Sequence, residues 1–154
     1  MAPETGRRYD LTPMLKILQL RFLPTSTDLA LLVLRLWFAV PLLTLHGWGK
    51  LIGFAERSGR FADPFGIGAP ASMALAIFAE VFCSMLLVIG LGTRFAAVAC
   101  AITMGTAFWF AHGTRLTGQG NGELAFMYLG AFVTILLAGP GRFSVDATMG
   151  GGRR

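Results

Sequence analysis

Four long apolar stretches dominate the chain, at about residues 29–47, 71–91, 95–112 and 123–139. Each approaches the ~17–25 residues that an α-helix needs to cross the ~30 Å hydrocarbon core of a membrane. A helix satisfies its backbone hydrogen bonds internally, which makes it the expected form of a spanning segment. A soluble chain of 154 residues has no room for four such helices inside an amphipathic shell. The pattern therefore predicts an all-α integral membrane protein with a bundle of four transmembrane helices.

The segment LTPMLKILQLRFL, before the first stretch, predicts an amphipathic helix. Thr12 suits the N-cap and Pro13 the first helical position. Apolar side chains then recur at helical spacing, with Lys16 and Gln19 on the opposite face. This helix is expected either on the membrane interface or against the underside of the bundle. The predicted organisation is a cytoplasmic N-terminal segment (1–28), a membrane domain (29–146) and a flexible C-terminal tail (147–154).

Composition supports the membrane class, since 55% of residues are hydrophobic and 14% charged. Soluble domains average ~45–50% apolar and ~25% charged residues. The net charge of +5 does not indicate nucleic-acid binding, because the basic residues lie between apolar stretches. With four spans, eight Lys and Arg residues fall on the side of the termini and four on the other, which predicts cytoplasmic termini. The eight are Arg7, Arg8, Lys16, Arg21, Arg94, Arg142, Arg153 and Arg154; the four are Lys50, Arg57, Arg60 and Arg115.

Ionisable residues inside the apolar stretches are candidates for function, because each costs ~2.5–3.5 kcal/mol on insertion scales. At ~1.5 Å per residue, Arg35 lies ~10 Å and Glu80 ~16 Å from the cytoplasmic ends of their spans. An arginine side chain bridges that difference, so an Arg35–Glu80 ion pair is predicted. The pair would either lock helix packing or hold a ligand, and the sequence leaves both open.

A second polar layer is expected nearer the other side of the membrane. His46, His112 and Glu123 fall at similar depths, and Lys50 lies one turn beyond His46. Arg35 and His46 are eleven residues apart, about three helical turns, which places them on one face and predicts a cavity wall. The spacing lacks an HExxH pattern, and no metal site is predicted.

Cys83 and Cys100 lie at similar depths in neighbouring spans. A redox dithiol is geometrically possible, but small packing residues are the preferred interpretation. At the end of the last stretch, Gly139 and Pro140 stop the helix. The segment GPGRFSVD that follows is expected to fold as a lid, with Arg142 and Asp146 paired to each other or to Arg94 and its loop.

Three segments in order resemble the DoxX family of small bacterial membrane proteins: LRLWFAVPLLTLHGWGKLIGF, AIFAEVFCSMLLVIGLGTRFAA and GELAFMYLGAFVTILLAGPGRFSVD. The resemblance covers residues 29–146 and implies a four-helix protein of the bacterial cytoplasmic membrane. The family name comes from a subunit of a thiosulfate:quinone oxidoreductase, and other members look like partners in thiol-stress or quinone-stress systems. The family's polar positions match Arg35, His46, Lys50, Glu80, Arg94, His112, Glu123, Arg142 and Asp146.

Two functions follow as hypotheses. The first is a redox-associated component, such as a subunit of a quinone-linked oxidoreductase, that binds a quinone-like lipophilic molecule and takes electrons from a soluble or membrane partner. Its ligand would contact Arg35, Glu80, His46, His112, Glu123 and Lys50, while Arg94, Arg142 and Asp146 are structural. The alternative is a non-catalytic scaffold or small-solute carrier that recruits partner enzymes. Both act in the lipid bilayer, and the sequence leaves catalysis and homo-oligomerisation open.

Overall fold

The computed structural model describes residues 18–20 and 25–150, and the regular structure within them is entirely helical. Apart from residues 18–20, the predicted N-terminal amphipathic helix lies outside the described residues. The principal helices are α1 (Thr27–Ile52), α2 (Phe54–Arg57, continued by a 3-10 turn at Ser58–Arg60), α3 (Ala69–Ile89), α4 (Thr93–Ala111), α5 (Glu123–Ala138) and α6 (Val145–Met149).

Helices α1, α3 and α4 are each long and apolar enough to cross a membrane. Helix α5 is apolar but has only 16 residues. The prediction of an all-helical fold is confirmed for the described residues, and three of their helices could span a membrane. The fourth span and the amphipathic helix stay predictions.

Small residues on α4 allow the helices to pack closely. Ala96, Ala97 and Cys100 are fully buried in one cluster with Phe132 and Ile135 of α5. Helix α5 packs mainly along α4, and α1 packs against the second half of α3. Close backbone approach through small side chains is the usual means of packing helices in lipid.

Wide π-helical turns occur in all three long helices. They cover Leu42–Gly47 in α1, Phe78–Cys83 in α3 and Ala107–Ala111 at the end of α4. The first follows Pro41, which has no N–H to donate to the preceding turn. Single π turns are frequent at functional sites because they re-aim side chains. The turns in α1 and α3 contact each other and contain His46 and Glu80.

Gly47 is the point of closest approach between these two turns. A Cβ atom there would lie 2.7 Å from the Glu80 carbonyl oxygen and 2.8 Å from Val81 Cγ2. Only glycine lets the backbones meet at this distance. The contact brings Lys50, one turn further along α1, next to the Glu80 side chain.

Residues 139–149 form a closing segment that folds back onto one end of the bundle. The Asp146 amide donates to the Gly90 carbonyl at 2.9 Å, and the Arg142 amide donates to Asp28 Oδ1 at 2.8 Å. Ser144 caps α6 by accepting from the Ala147 amide at 3.2 Å. Residues 147–149 were expected in a flexible tail, but they belong to this capped helix.

Asp146 caps the start of α4 across the chain. Its two carboxylate oxygens accept from the Gly92 and Thr93 amides at 2.7 and 2.8 Å, which satisfies donors that a helix N-terminus leaves unpaired. Partial burial raises the pKa of Asp146, but the two amide hydrogen bonds and the Arg35 charge outweigh it and hold this pKa below its usual value.

Asp146→Asn is expected to lower the free energy of unfolding by about 1 kcal/mol at neutral pH, as loss of a helix cap does. Because the folded pKa of Asp146 is lowered, its ionised form stabilises the protein above the unfolded pKa of about 3.9, and this stabilisation disappears as the pH falls through the folded value. Unfolding midpoints of the two proteins in detergent should therefore converge as the pH falls below about 4. Glu56→Gln, at an exposed position on α2, is the control; a difference that stays constant down to pH ~3 would contradict the capping role.

Candidate functional site

Lys50 and Glu80 form an ion pair in the interior of the bundle. Lys50 Nζ donates to Glu80 Oε2, with the two side chains 27% and 5% exposed. It is the one ion pair between side chains of residues 25–150. The π turn in α3 and the close approach at Gly47 place the two groups together.

The predicted Arg35–Glu80 pair is wrong. Arg35 is 1% exposed and donates instead to two carbonyl oxygens of the closing segment, from Nη1 to Pro140 at 2.7 Å and from Nη2 to Phe143 at 2.5 Å. The prediction assumed that all spans begin at the same depth. Helix α1 actually extends beyond the end of α3, so that Arg35 lies beside Gly90, which is ten residues or ~15 Å from Glu80 along α3.

Arg35 therefore fastens the closing segment to the bundle. Gly90, at φ +73°, makes room for it, since a Cβ there would collide with Arg35 Nη1 and lie 2.6 Å from Ser144 Cβ. Arg94 and Arg142 are exposed, and neither pairs with Asp146 among the described residues. The Arg94 guanidinium lies over Gly139.

A cavity of about 330 Å³ extends from the Lys50–Glu80 pair toward the bundle surface between α3 and α4. We call it the large cavity. Its walls are mainly apolar, and Phe65 and Phe110 meet edge to face at its rim with ring centroids 5.7 Å apart. Leu75 and Ile102, on the spanning helices, are 57% and 62% exposed. The mouth of the large cavity therefore opens on an exposed apolar surface of the bundle.

A second space of about 130 Å³, which we call the small chamber, lies on the other side of the ion pair. His46, His112 and Tyr128 contribute to its wall. Lys50, Glu80, Ala107 and His112 line both spaces, so the ion pair and the His112 ring separate them.

The predicted second polar layer is brought together in part. His46 packs edge to face on Tyr128, with ring centroids 6.0 Å apart, and both histidines line the small chamber. Glu123 is exposed at the start of α5 and lines neither space. In the part of the chain that the structure describes, no three His, Cys, Asp or Glu side chains are arranged to hold a metal ion.

Cys83 and Cys100 are free thiols, and both are fully buried in the helix core. Cys100 Sγ donates to the Ala79 carbonyl oxygen at 3.3 Å. Their surroundings are those of small packing residues.

Several residues of the large cavity were missed from the sequence. Thr103 and Thr106 are three positions apart on α4 and line the cavity with their neighbours on one helix face. Asp63 folds the loop over it, by accepting from the Ser72 hydroxyl at 2.7 Å and the Gly68 amide at 2.8 Å. The Ser72 hydrogen bond, followed by those of the loop amides, lowers the pKa of Asp63. The available signals were paired threonines in an apolar helix and the turn-forming stretch ADPFGIG.

The family model for DoxX matches residues 30–113, which include Lys50, Glu80 and His112. The chain belongs to the DoxX family. Two uncharacterized proteins of Haemophilus influenzae are similar to this DoxX protein. One is 31% identical over 114 residues, which are 66% of this chain and 78% of the relative, and the other is 29% identical over 127 residues, 79% and 83%. No solved structure matches the chain.

Proposed function

We propose that this DoxX protein binds a lipophilic small molecule of the quinone class in the large cavity, with the polar head of the ligand at Lys50. The observation that carries the proposal is a buried ion pair at the inner end of an apolar cavity whose mouth lies between two membrane-spanning helices. A charged pair is expensive to keep at such a depth, which favours a role beyond packing.

The large cavity fits such a ligand in size and in chemistry. Ligand sites typically have volumes of about 300–1,000 Å³, mostly apolar walls and few polar groups, and this cavity is at the lower end of the range. Phe61, Phe65 and Phe110 offer aromatic faces for a ring. The Lys50 ammonium carries three donors and uses one on Glu80, which leaves donors for a carbonyl oxygen of the ligand.

A quinone would supply electron and proton transfer, while the residues of this chain bind and orient it. Apolar walls exclude water from the ring, and Lys50 fixes the position of the head oxygen. Arg35 has no part in this site, because its hydrogen bonds to Pro140 and Phe143 occupy it in the closing segment. The electrons would come from a partner protein, consistent with a subunit of a quinone-linked oxidoreductase.

The membrane arrangement that accompanies this function has four spans, with both termini in the cytoplasm of a bacterial cell. Helix α5 extends ~24 Å at ~1.5 Å per residue, and its outer face carries the exposed apolar side chains Phe126, Val133 and Leu137. These properties suit a short span within the bundle. The excess of Lys and Arg on the side of the termini supports the orientation.

The test is titration of the purified protein in lipid nanodiscs with a short-chain benzoquinone. Wild type should bind saturably, and Ala76→Phe, which fills the large cavity, should weaken binding about tenfold or more, equivalent to about 1.4 kcal/mol. Ala30→Phe adds the same ring on the exposed face of α1 and should bind like wild type. Ala111→Phe, at an exposed position that also lines the large cavity, serves if Ala76→Phe does not fold. Absence of saturable binding, or equal affinity of the cavity variants and wild type, would overturn the proposal.

A further inference from the structure

The Lys50–Glu80 ion pair borders the small chamber as well as the large cavity. Five polar side chains contribute to its wall: His46, Lys50, Glu80, His112 and Tyr128. A lipid-binding or sealed packing space would be apolar. This concentration of polar groups beside one end of an otherwise apolar bundle requires a different occupant.

The hydrogen-bonding capacity of these side chains favours water as the occupant. Among the described residues, Lys50 and Glu80 bond to each other and His112 bonds to Gly120, whereas His46 and Tyr128 meet only ring to ring. Tyr128 is 5% exposed, and buried tyrosine hydroxyls normally have a hydrogen-bond partner. A water needs on the order of 10–15 Å³ of accessible space and two to four polar partners. A chamber of 130 Å³ with these walls has room and hydrogen-bonding partners for several waters.

His112 places the chamber next to an aqueous side. The residue follows the π turn that ends α4, and its Nδ1 donates to the Gly120 carbonyl oxygen at 2.9 Å. Gly120 belongs to the loop of residues 113–122, in which residues 113–120 are all exposed. The same ring thus borders the exposed loop, the small chamber and the large cavity.

We propose that the small chamber is a water-filled vestibule that connects Glu80 with the aqueous phase on the side of the loop of residues 113–122. The large cavity then admits lipophilic molecules from the membrane, while the vestibule admits water from the opposite side of the ion pair. Lys50, His46, His112, Tyr128 and Cys100 are the other titratable groups around Glu80. The vestibule needs no ligand, and its role in supplying protons to a bound molecule rests on the proposed function.

Cysteine accessibility tests the vestibule directly. His46→Cys and Ala125→Cys place thiols in the wall of the small chamber from α1 and α5, while Ala39→Cys and Ala97→Cys place them in the packed core. The reagent is 2-sulfonatoethyl methanethiosulfonate, which is water-soluble and does not enter lipid. The chamber thiols should react about tenfold or more faster than the core thiols, since reactivity follows access. The unmodified chain, with Cys83 and Cys100 buried, gives the background.

A second pair of reactions separates the two routes to the ion pair. In Glu80→Cys the thiol stands at the junction and should react with the anionic reagent through the vestibule and with a long-chain N-alkyl maleimide through the large cavity. Ala125→Leu, which fills the chamber, should slow only the anionic reagent; Ala76→Phe should slow only the maleimide. The expected change is about tenfold in each case.

Chamber thiols as unreactive as the core thiols would overturn the vestibule, as would an anionic reaction of Glu80→Cys that Ala125→Leu leaves unchanged. Neither outcome depends on quinone binding. If the chamber thiols react but the benzoquinone titration shows no saturable binding, the proposal of a vestibule stands and the proposal of a quinone ligand falls.

Discussion

Lys50→Met is expected to lower the free energy of unfolding by about 3 kcal/mol, because it leaves the Glu80 carboxylate buried without its cation. The loss is at the low end of the ~3–5 kcal/mol typical of broken buried pairs, since the Lys50 side chain is 27% exposed and water compensates in part. Equilibrium unfolding in mixed micelles of a mild detergent and dodecyl sulfate measures the difference.

A double-mutant cycle isolates the pair from the loss of either side chain. Glu80→Gln alone removes the buried charge and should cost about 1 kcal/mol, the value of an ordinary hydrogen bond. The double variant should be close to Glu80→Gln and clearly more stable than Lys50→Met. Arg57→Met removes an exposed cation on α2 as the matched control, and it should stay within about 0.5 kcal/mol of wild type. Strictly additive effects of Lys50→Met and Glu80→Gln would show that the two groups do not interact.

Arg35→Met is expected to destabilise the protein by about 3–4 kcal/mol, because two charged hydrogen bonds at ~1.5–3 kcal/mol each are lost and two carbonyl oxygens lose their donor. Arg35 Nε has no partner among the described residues, and removing this unpaired donor offsets part of the loss. Arg35→Lys should recover part of the stability, since one ammonium reaches fewer acceptors than a planar guanidinium.

The part of the protein that loosens in Arg35→Met distinguishes a structural role of Arg35 from a role in ligand binding. Loss of Arg35 should release the closing segment, which is held at Pro140 and Phe143, and limited proteolysis should cut the chain near residues 139–149 faster than in wild type. Binding of the benzoquinone per folded molecule should be unchanged. A stable Arg35→Met protein that loses ligand binding would reverse the assignment.

The apolar pattern was sufficient to predict the helices and their membrane character, because span length and hydropathy follow directly from the thickness of the hydrocarbon core. It also identified Arg35, Glu80, Lys50, His46 and His112 as polar residues that require an explanation. It could not pair them, because pairing depends on how far each helix slides along its neighbours. The offset between α1 and α3 along their axes is set by two contacts, that of Gly47 with Glu80 and that of the Arg35 side chain with Gly90.

The π turns were equally inaccessible to a prediction based on a regular helix. The wide turn at Leu42–Gly47 changes the direction of every later side chain on α1. The prediction that Arg35 and His46 share one helix face assumed a regular α-helix between them, and this assumption does not hold. For Glu123 the predicted position along the helix is correct but the predicted direction of the side chain is not. It lies at the expected end of its helix but lines neither space, because depth alone does not determine rotation about a helix axis.

The central claim is that a ligand occupies the large cavity beside Lys50 and Glu80, and photolabelling tests it most directly. A photoreactive benzoquinone would be cross-linked to the protein in lipid nanodiscs and its adducts located by mass spectrometry. The account predicts adducts on cavity residues such as Leu75, Thr106 and Phe110, which excess unlabelled benzoquinone prevents. Adducts spread over the outer face of α1 around Val33 and Trp37, insensitive to the competitor, would contradict it.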